Sequence, residues 1–208
     1  MTKKPLKEYR NIALPQEDVQ GKTDFSDVFG RSAPLHIEIG SGRGTFLVNQ
    51  AITFPQINFL GIEWANKFYR YTVDRVGRRA VGNVRVIRTE AALFLSEHIG
   101  DKSVDCFHIY FPDPWPKRSH HKRRFVSAEN VTQMIRCLKK HGLINIATDH
   151  AEYYQWMQNV FEGFAEKLKP VEFIKSAGAK ENELVGTNYE IKYLREKKET
   201  FTLAFKKI

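Results

Sequence analysis

From residue 35 onward, short apolar runs rich in β-branched and aromatic residues alternate with longer segments whose apolar residues recur at helical spacing. The runs are predicted to be buried strands, at residues 35–39, 58–62, 84–87, 104–110 and 143–147. The longer segments are predicted to be helices, at residues 44–52, 66–79, 91–99, 127–139 and 150–168. Because parallel strands need crossover connections, which helices usually form, this order predicts an α/β fold with a mostly parallel sheet and helices on both faces.

Both ends of the chain depart from this alternation. Residues 171–174 and 201–205, separated by a polar stretch at residues 176–199, are predicted to form a terminal hairpin that brings the sheet to seven strands. Residues 1–34 are polar and show no sustained periodicity, so we expect a basic and polar N-terminal arm, partly ordered, with regular structure beginning after it. The chain of 208 residues suffices for one core of ordinary size, which we place at residues 35–208.

The cysteines and the N-terminal residues indicate the cellular compartment in which the protein is expected. Cys106 and Cys137 are too few for a disulfide scaffold, and neither lies in a Cys-x-x-Cys pair or a Cys/His ligand cluster, so we expect a reducing compartment and no metal site. The first residues are basic but precede no apolar stretch, and no run approaches the ~18 apolar residues of a membrane span. We therefore expect a cytoplasmic protein with no membrane partner.

The formal net charge is +9, and it is concentrated in two windows. Residues 64–90 hold seven Lys or Arg and two acidic residues, and residues 111–125 hold five and one. A solvated helix surface explains the first window as well as an anionic partner does. Within residues 115–124, however, five cations and two histidines form a run that repels itself unless phosphates are near. We predict a polyanionic partner, with a nuclear-localisation signal as the alternative for that run.

The first predicted strand leads into a glycine-rich segment, E-I-G-S-G-R-G at residues 38–44. Glycines permit a sharp turn and close approach to a ligand, and the helix behind them favours negative groups. The spacing of Gly40, Gly42 and Gly44 differs from the Gly-x-Gly-x-x-Gly of dinucleotide-binding folds. Glu38 would repel a pyrophosphate, yet it suits the ammonium and sulfonium groups of S-adenosylmethionine. A structural turn or another nucleotide is the alternative for this motif taken alone.

Two more acids stand at the ends of successive predicted strands. Glu63 is placed to accept both hydroxyls of a ribose, and its alternative role is a cap for the following helix. Glu90 is placed to accept from an adenine amino group, although by itself it fits better as the partner of a helix dipole. Because the carboxyl ends of parallel strands meet at one sheet edge, these acids together with Glu38 favour an adenosine-type cofactor.

The fourth predicted strand ends in F-P-D-P-W at residues 111–115, directly before the basic run. The two prolines stiffen the turn, so we expect the Asp113 carboxylate and the Trp115 ring at the sheet edge beside the glycine loop. The turn resembles the Asp/Asn-Pro-Pro-aromatic loop of amino-group methyltransferases. A rigid loop whose aspartate caps a helix is the alternative.

Taken together, these motifs make the chain resemble the tRNA (guanine-N7)-methyltransferases of the bacterial single-subunit type. The resemblance covers roughly residues 35–208, and its proline-containing and basic segment is highly specific, whereas the glycine loop is shared by many methyltransferases. Its motifs are the glycine loop, G-I-E at 61–63, F-P-D-P-W-P-K at 111–117 with H-H-K-R-R behind it, A-T-D at 147–149 and G-T-N-Y-E at 186–190. The resemblance implies a class I S-adenosylmethionine-dependent methyltransferase fold, which is Rossmann-like.

The resemblance also implies a cofactor and a set of site residues. S-adenosyl-L-methionine would be bound beside the glycines by Glu38, Glu63, Glu90 and Asp113. The substrate side would use Lys117, Asp149, Thr187, Asn188, Tyr189 and Glu190. Two features depart from the family pattern: Glu90 stands where Asp or Asn is more usual, and residues 191–198 are more charged than expected.

The implied reaction methylates N7 of guanosine 46 in the tRNA variable loop. N7 already presents an in-plane lone pair, so no general base is needed, and no cysteine is placed for a nucleophilic mechanism. Asp113 is the predicted catalytic residue, stabilising positive charge on the guanine. Lys117 or Arg118 is predicted to read guanine O6, and the basic run supplies the RNA contacts, at Arg118, Lys122, Arg123 and Arg124.

Other functional classes make different demands on the sequence. A methyltransferase acting on protein, small molecules or ribosomal RNA would not need the basic run, and a noncatalytic RNA-binding protein should have lost the cofactor acids. An NAD enzyme is disfavoured by the glycine spacing. We expect a monomer or homodimer with tRNA as its partner and no obligatory protein partner.

Overall fold

A computed structural model describes residues 5–196 and 198–208 of the chain. Its strands are β1 (Ala13–Leu14), β2 (Leu35–Ile39), β3 (Asn58–Ile62), β4 (Val84–Ile87), β5 (Val104–Tyr110), β6 (Leu138–Thr148), β7 (Leu168–Pro170) and β8 (Phe201–Lys207). Its α-helices are α1 (Phe25–Phe29), α2 (Thr45–Thr53), α3 (Asn66–Arg78), α4 (Ala91–His98), α5 (Ala128–Cys137), α6 (Ala151–Glu162) and α7 (Asn188–Arg195). Short 3-10 helices span Gln16–Asp18 and Arg118–Arg123. Within the described residues, no helix is long and apolar enough to cross a membrane.

The strands form one sheet in the order β1-β4-β3-β2-β5-β6-β8-β7. The strands from β1 to β6 pair in parallel, whereas β8 runs antiparallel to both of its neighbours, β6 and β7. The strand order reverses at β2, which pairs with β3 on one side and with β5 on the other. In open α/β sheets a crevice for ligands lies outside the carboxyl ends of the strands at such a reversal.

The predicted α/β fold and its mostly parallel sheet are confirmed, and the first four predicted strands match β2 to β5 in their bounds. The predicted strand at residues 171–174 is wrong: the hairpin partner of β8 is β7, in which Leu168 is buried. The predicted helix at residues 150–168 ends at Glu162, six residues early, because the chain turns at Gly163 to enter β7. The polar stretch at residues 176–199 contains α7, which the sequence analysis missed.

The prediction that regular structure begins only after residue 34 is also wrong. β1 pairs in parallel with β4 and becomes an eighth strand, so the sheet exceeds the predicted seven. Ile12, Phe25 and Phe29 are buried in the hydrophobic core, and the Tyr9 ring packs so closely on α3 that a Cβ at Gly77 would lie 2.2 Å from its Cγ. These apolar residues are separated by polar stretches, which hid them from a periodicity argument. The domain boundary at residue 34 stays a prediction.

The two faces of the central strands differ in polarity. One face packs Ile37, Phe107 and Ile144 into the main hydrophobic core. On the opposite face the alternation of β5 places Cys106, His108 and Tyr110 in a row. There His36 of β2 lies opposite Cys106, so the expectation that neither cysteine belongs to a Cys/His cluster is wrong for Cys106. Burial lowers the pKa of His36 to about 4 and that of His108 well below its usual range, so both rings are neutral at physiological pH.

The burial of the N-terminal segment predicts that truncating one of its core side chains destabilises the protein. Ile12→Ala removes a side chain that is 1% exposed and should lower the free energy of unfolding by about 2–5 kcal/mol, through lost burial and a residual cavity. Ile52→Ala is the matched control, because Ile52 is 55% exposed and its truncation should change stability by no more than about 0.5 kcal/mol. Urea unfolding followed by circular dichroism measures both variants, and equal stabilities would mean that the segment does not belong to the core.

Candidate active site

A cleft of about 920 Å³ opens at the carboxyl ends of β2 to β5, where the strand order reverses. Its walls come from the loops that follow these strands. The cleft brings together nine of the predicted site residues, namely Gly40, Gly42, Glu63, Glu90, Asp113, Lys122, Arg123, Arg124 and Tyr189. The other predicted residues do not line it, and these are Glu38, Gly44, Lys117, Arg118, Asp149, Thr187, Asn188 and Glu190.

The glycine loop adopts a backbone that other residues resist. Gly40, Gly42 and Gly44 have φ angles of 74°, 55° and 67°, all in the left-handed region. A Cβ at Gly44 would lie 2.6 Å from Cγ2 of Thr72, whose hydroxyl donates to the Gly42 carbonyl at 2.8 Å. At Gly40, by contrast, an added Cβ would meet no atom within 4 Å. The loop is therefore pinned on its α3 side and open on its cleft side.

The Glu63 carboxylate holds the glycine loop to the start of α3. One oxygen accepts from the Gly42 N–H and the other from the Ala65 N–H, each at 2.8 Å. Burial raises the pKa of Glu63, with these hydrogen bonds acting against the rise and the charge of Asp113 adding to it. A carboxylate has about four acceptor positions, so Glu63 retains acceptor capacity toward the cleft. Its anchoring of backbone N–H groups is a role that the sequence analysis allowed only as an alternative.

Glu38 lies buried beneath the loop, and it is 4% exposed. One of its carboxylate oxygens and the Ser41 hydroxyl have no hydrogen-bond partner among the residues that the structure describes. Burial, reinforced by the nearby charge of Glu63, raises the pKa of Glu38 well above its usual range. Because an unpaired buried carboxylate is costly, this pocket favours a cationic group that pairs with it.

Glu90 caps α4. Its two carboxylate oxygens accept from the Ala92 N–H at 3.0 Å and from the Leu93 N–H at 2.7 Å. This is the helix-end role that the sequence analysis favoured for Glu90 taken alone. The residue also lines the cleft, so its predicted contact with adenine stays a prediction.

Asp113 sits at the tip of a strained turn. The flanking residues Phe111 and Trp115 have φ angles of 52° and 44°, which bulky residues rarely adopt and which cost energy in each case. Asp113 is exposed and lines the cleft, and no hydrogen bond or ion pair ties its carboxylate to a backbone or side-chain group that the structure describes. The alternative that Asp113 caps a helix is therefore wrong. Its carboxylate is presented to the cleft, where it remains open to a ligand.

Arg124 is hydrogen-bonded to the turn that carries Asp113. The prediction that its side chain contacts RNA is wrong. The residue is only 2% exposed. Its Nε donates to the Pro114 carbonyl at 2.9 Å, and its two terminal nitrogens form a bidentate pair with the Glu152 carboxylate on α6. The guanidinium also packs on the Tyr153 and Trp156 rings, with its central carbon 4.9 Å from the centroid of each. A side chain enclosed in this way cannot reach a phosphate.

The other cations of the basic run remain available. Lys122 and Arg123 are exposed on the cleft wall, and the Arg123 guanidinium lies 4.9 Å from the centre of the Trp115 ring. Lys117 and Arg118 are exposed beside the cleft without lining it. Of the five cations in the basic run at residues 115–124, one arginine is therefore buried and four cations are exposed.

The segment from Thr187 to Glu190 forms the start of α7, and its predicted role as a substrate site stays a prediction. Glu190 is 1% exposed, and its carboxylate accepts from the N–H groups of residues 184, 185 and 186. The Thr187 hydroxyl accepts from the Glu190 N–H at 3.1 Å, which is the N-cap half of a capping box. The Thr-x-x-Glu pattern would have predicted α7. Neither buried side chain is presented to the cleft.

Asn188 and Tyr189 connect the start of α7 to the start of α2 and to the glycine loop. The Asn188 amide donates to the Thr45 hydroxyl at 2.8 Å. Tyr189 lines the cleft, and its ring lies 3.6 Å from where a Cβ on Gly42 would stand. Burial raises the pKa of Tyr189, and the charges of Asp113 and Glu63 add to the rise. Asp149 lies farther along the sheet edge, 3.2 Å from the Lys198 amine.

Sequence reasoning missed two exposed apolar residues on the cleft. Trp64 and Leu93 are 67% and 51% exposed and both line the wall near Glu63 and Glu90. The sequence offered one indication of Trp64, because it directly follows Glu63, the acid that was predicted to bind the ribose. Large exposed apolar side chains in a cleft suit a flat, partly apolar ligand.

Comparisons with known proteins agree with this geometry. A family described as "Putative methyltransferase" matches residues 32–203. Among similar structures, a SAM-dependent methyltransferase from Aquifex aeolicus has 13% identity and a TM-score of 0.57, covering 88% of both chains. The antibiotic-resistance methyltransferase Kmr has 14% identity and a TM-score of 0.59, covering 91% of this chain and 98% of its own. These likenesses establish the class I methyltransferase fold.

Two curated relatives are closer in sequence. The tRNA (guanine-N(7)-)-methyltransferase of Alkalilimnicola ehrlichii is 36% identical over 187 residues, which is 88% of this chain and 77% of the relative. The enzyme of the same name from Streptococcus pyogenes is 32% identical over 182 residues, which is 88% of this chain and 84% of the relative. The cleft, its acids and these matches together show that the chain belongs to the tRNA (guanine-N(7)-)-methyltransferase family.

Proposed function

We propose that this protein transfers a methyl group from S-adenosyl-L-methionine to N7 of guanosine 46 in the variable loop of tRNA. The observation that carries the proposal is the exposed Asp113 carboxylate, held on a strained turn in the same cleft as the glycine loop and the exposed Lys122 and Arg123. We further propose that the reaction takes place in the cytoplasm and that the chain acts as a monomer or homodimer.

The residues of the cleft fit the proposed cofactor. S-adenosyl-L-methionine supplies a methyl group on a sulfonium, together with an ammonium, a ribose and an adenine. The buried unpaired oxygen of Glu38 suits a cationic group, and Glu63 retains acceptor positions for ribose hydroxyls. The exposed Trp64 and Leu93 provide apolar surface on the same wall for a flat base. The open side of the loop at Gly40 leaves room for close approach.

Asp113 supports the reaction through charge and position. Guanine N7 needs no proton removed before it attacks, and no histidine lines the cleft in the part of the chain that the structure describes. During transfer the positive charge moves onto the guanine ring, where a fixed carboxylate stabilises it. The Arg124 clamp and the two prolines hold that carboxylate in place, so little reorganisation is needed when charge develops.

Recognition of tRNA is assigned to the exposed cations. Lys122 and Arg123 border the cleft and suit phosphates next to the target base, and Lys117 or Arg118 would read O6 of guanine. The exposed Lys67 and Arg70 in the first turns of α3 add positive charge on the helix that follows Glu63 and Trp64. A noncatalytic RNA-binding protein is disfavoured because the cofactor acids are retained: Glu63 and Asp113 line one cleft, and Glu38 lies buried beneath its glycine loop.

The proposal is tested by incubating the protein with labelled S-adenosyl-L-methionine and unmodified tRNA, followed by mapping of the labelled base. We expect label at N7 of guanosine 46 alone. Label at another guanosine would correct the position and keep the chemistry, whereas label on ribosomal RNA or on no RNA would refute the substrate.

Asp113→Asn tests the catalytic assignment, since it preserves size and removes charge. We expect the single-turnover rate to fall by about 10²–10³-fold, with both substrates still bound and the fold intact. The matched control is Asp101→Asn, an exposed aspartate outside the cleft, which should turn over normally. Normal turnover in the Asp113 variant would remove Asp113 from catalysis.

The pH dependence of the wild-type rate provides a separate prediction. Because no base has to lose a proton before attack, the single-turnover rate should lack the rising limb near neutral pH that a histidine base produces. A limb with an apparent pKa near that of histidine would contradict the base-free mechanism.

Glu63→Gln tests the cofactor assignment. Loss of a charged acceptor should weaken binding of S-adenosylhomocysteine by roughly 10- to 150-fold, since hydrogen bonds to charged groups are worth about 1.5–3 kcal/mol. Glu97→Gln on the outside of α4 serves as the control, and tRNA affinity should stay near wild type in both. Calorimetric titration gives the values, and equal cofactor affinities would place the cofactor elsewhere.

Salt dependence tests the RNA surface. Replacing both Lys122 and Arg123 by Ala should reduce the slope of log affinity against log salt by about 1.5–2 units, because two fewer phosphates are neutralised. Replacing the exposed Lys167 and Lys169, at the far sheet edge, should leave the slope unchanged. Filter-binding titrations over a range of salt measure both, and equal slopes for the two double variants would refute the assigned surface.

A further inference from the structure

Three side chains beneath the active-site cleft have the composition of a metal site. They are His36 on β2 and Cys106 and His108 on β5, and one potential ligand atom from each lies within 4.8 Å of the other two. All three project from the same face of the sheet, because His36 is the register partner of Cys106 and His108 follows two residues later. None of them belongs to the cleft wall.

Their spacing is close to that of ligands around one ion. Nδ1 of His36 and Nε2 of His108 are 3.1 Å apart. Two nitrogens bound tetrahedrally to zinc at about 2.0–2.1 Å are about 3.4 Å apart, and a nitrogen and a thiolate sulfur about 3.6 Å. The Cys106 sulfur lies within 4.8 Å of both nitrogens, so binding requires the histidine pair to open by a few tenths of an ångström and the sulfur to move inward. Without an ion, the two ring nitrogens share one hydrogen.

Neighbouring groups already orient two of the three ligands. The Tyr110 hydroxyl is hydrogen-bonded to Nδ1 of His108 at 2.8 Å, which leaves Nε2 directed at the cluster. The Asn145 amide donates to the Cys106 sulfur at 3.4 Å, a contact that favours a thiolate. Metal-ligating histidines characteristically have such a partner on the second ring nitrogen. Phe46 of α2 packs on the His108 ring with centroids 4.7 Å apart, so the cluster is held from above as well.

We propose that His36, Cys106 and His108 bind one zinc ion that joins β2 to β5. Two imidazoles and a thiolate are a ligand set for borderline and soft metals, which excludes magnesium and calcium. Three protein ligands leave one position for a non-protein ligand, and His36 is only half-buried, so the ion can enter from that side. The ion has a structural role, because the two strands it joins carry the glycine loop and the Asp113 turn. The inference does not depend on the methyl transfer.

Cobalt titration of the untagged, chelator-treated full-length chain tests the site. We expect one equivalent of Co²⁺ to produce a thiolate charge-transfer band and the visible bands of a tetrahedral site, and one equivalent of Zn²⁺ to remove both. Zinc should also raise the Tm, since it binds the folded state. Absence of the charge-transfer band in the wild-type protein would overturn the proposal.

Variants locate the ion. Cys106→Ser should abolish the charge-transfer band and weaken binding at least about 100-fold, and Tyr110→Phe should weaken it by about 10- to 100-fold. Cys137→Ser is the matched control, because Cys137 is equally buried but is not among the clustered ligand groups. Circular dichroism verifies folding, and if the Cys106 variant does not fold, His36→Gln at the half-buried position decides through the same affinity measurement. Retention of wild-type binding in the ligand variants, or its loss in the Cys137 variant, would place the metal elsewhere and refute the site.

Discussion

The cleft exists because β2 is hydrogen-bonded to β3 on one side and to β5 on the other. The chain builds outward from β2 in one direction, then crosses back and builds in the other, so the loops leaving β2 and β5 diverge above the sheet. That divergence provides the space in which the glycine loop and the Asp113 turn face a common ligand. Every proposed chemical role in this protein depends on this reversal of strand order.

Several charged residues around the cleft serve the backbone. Glu63, Glu90 and Glu190 together accept from seven backbone N–H groups in loops and at helix starts. Arg124 holds the Pro114 carbonyl in the same way. Loops that form an active site have few partners for their own polar groups, and charged side chains satisfy them more strongly than neutral ones do. Asp113 differs from these residues because its carboxylate accepts no hydrogen bond from the backbone groups that the structure describes. For this reason Asp113 is the acid assigned to the reaction.

The two faces of the sheet differ in polarity. The face that meets the main hydrophobic core is apolar, whereas the face under α2 carries the His36, Cys106 and His108 cluster and leads through Tyr110 to the cleft. Buried polar groups are stable only where they are hydrogen-bonded. His36, His108 and Tyr110 are linked in a chain of hydrogen bonds, and the Cys106 sulfur accepts from the Asn145 amide. A bound ion would strengthen a connection that the fold has already made.

The sequence by itself determined the α/β order, the bounds of four central strands and the glycine loop, because periodicity and turn chemistry are local properties. It also placed Glu63 and Asp113 at one sheet edge, since parallel strands bring their ends together. Tertiary structure alone decided that Arg124 is buried, that the Glu190 carboxylate binds the N–H groups of the loop before α7, and that Cys106 meets two histidines. Those outcomes depend on contacts between residues 28, 6 and 70 positions apart, or on which face of an element is covered, and spacing along a chain carries little information about either.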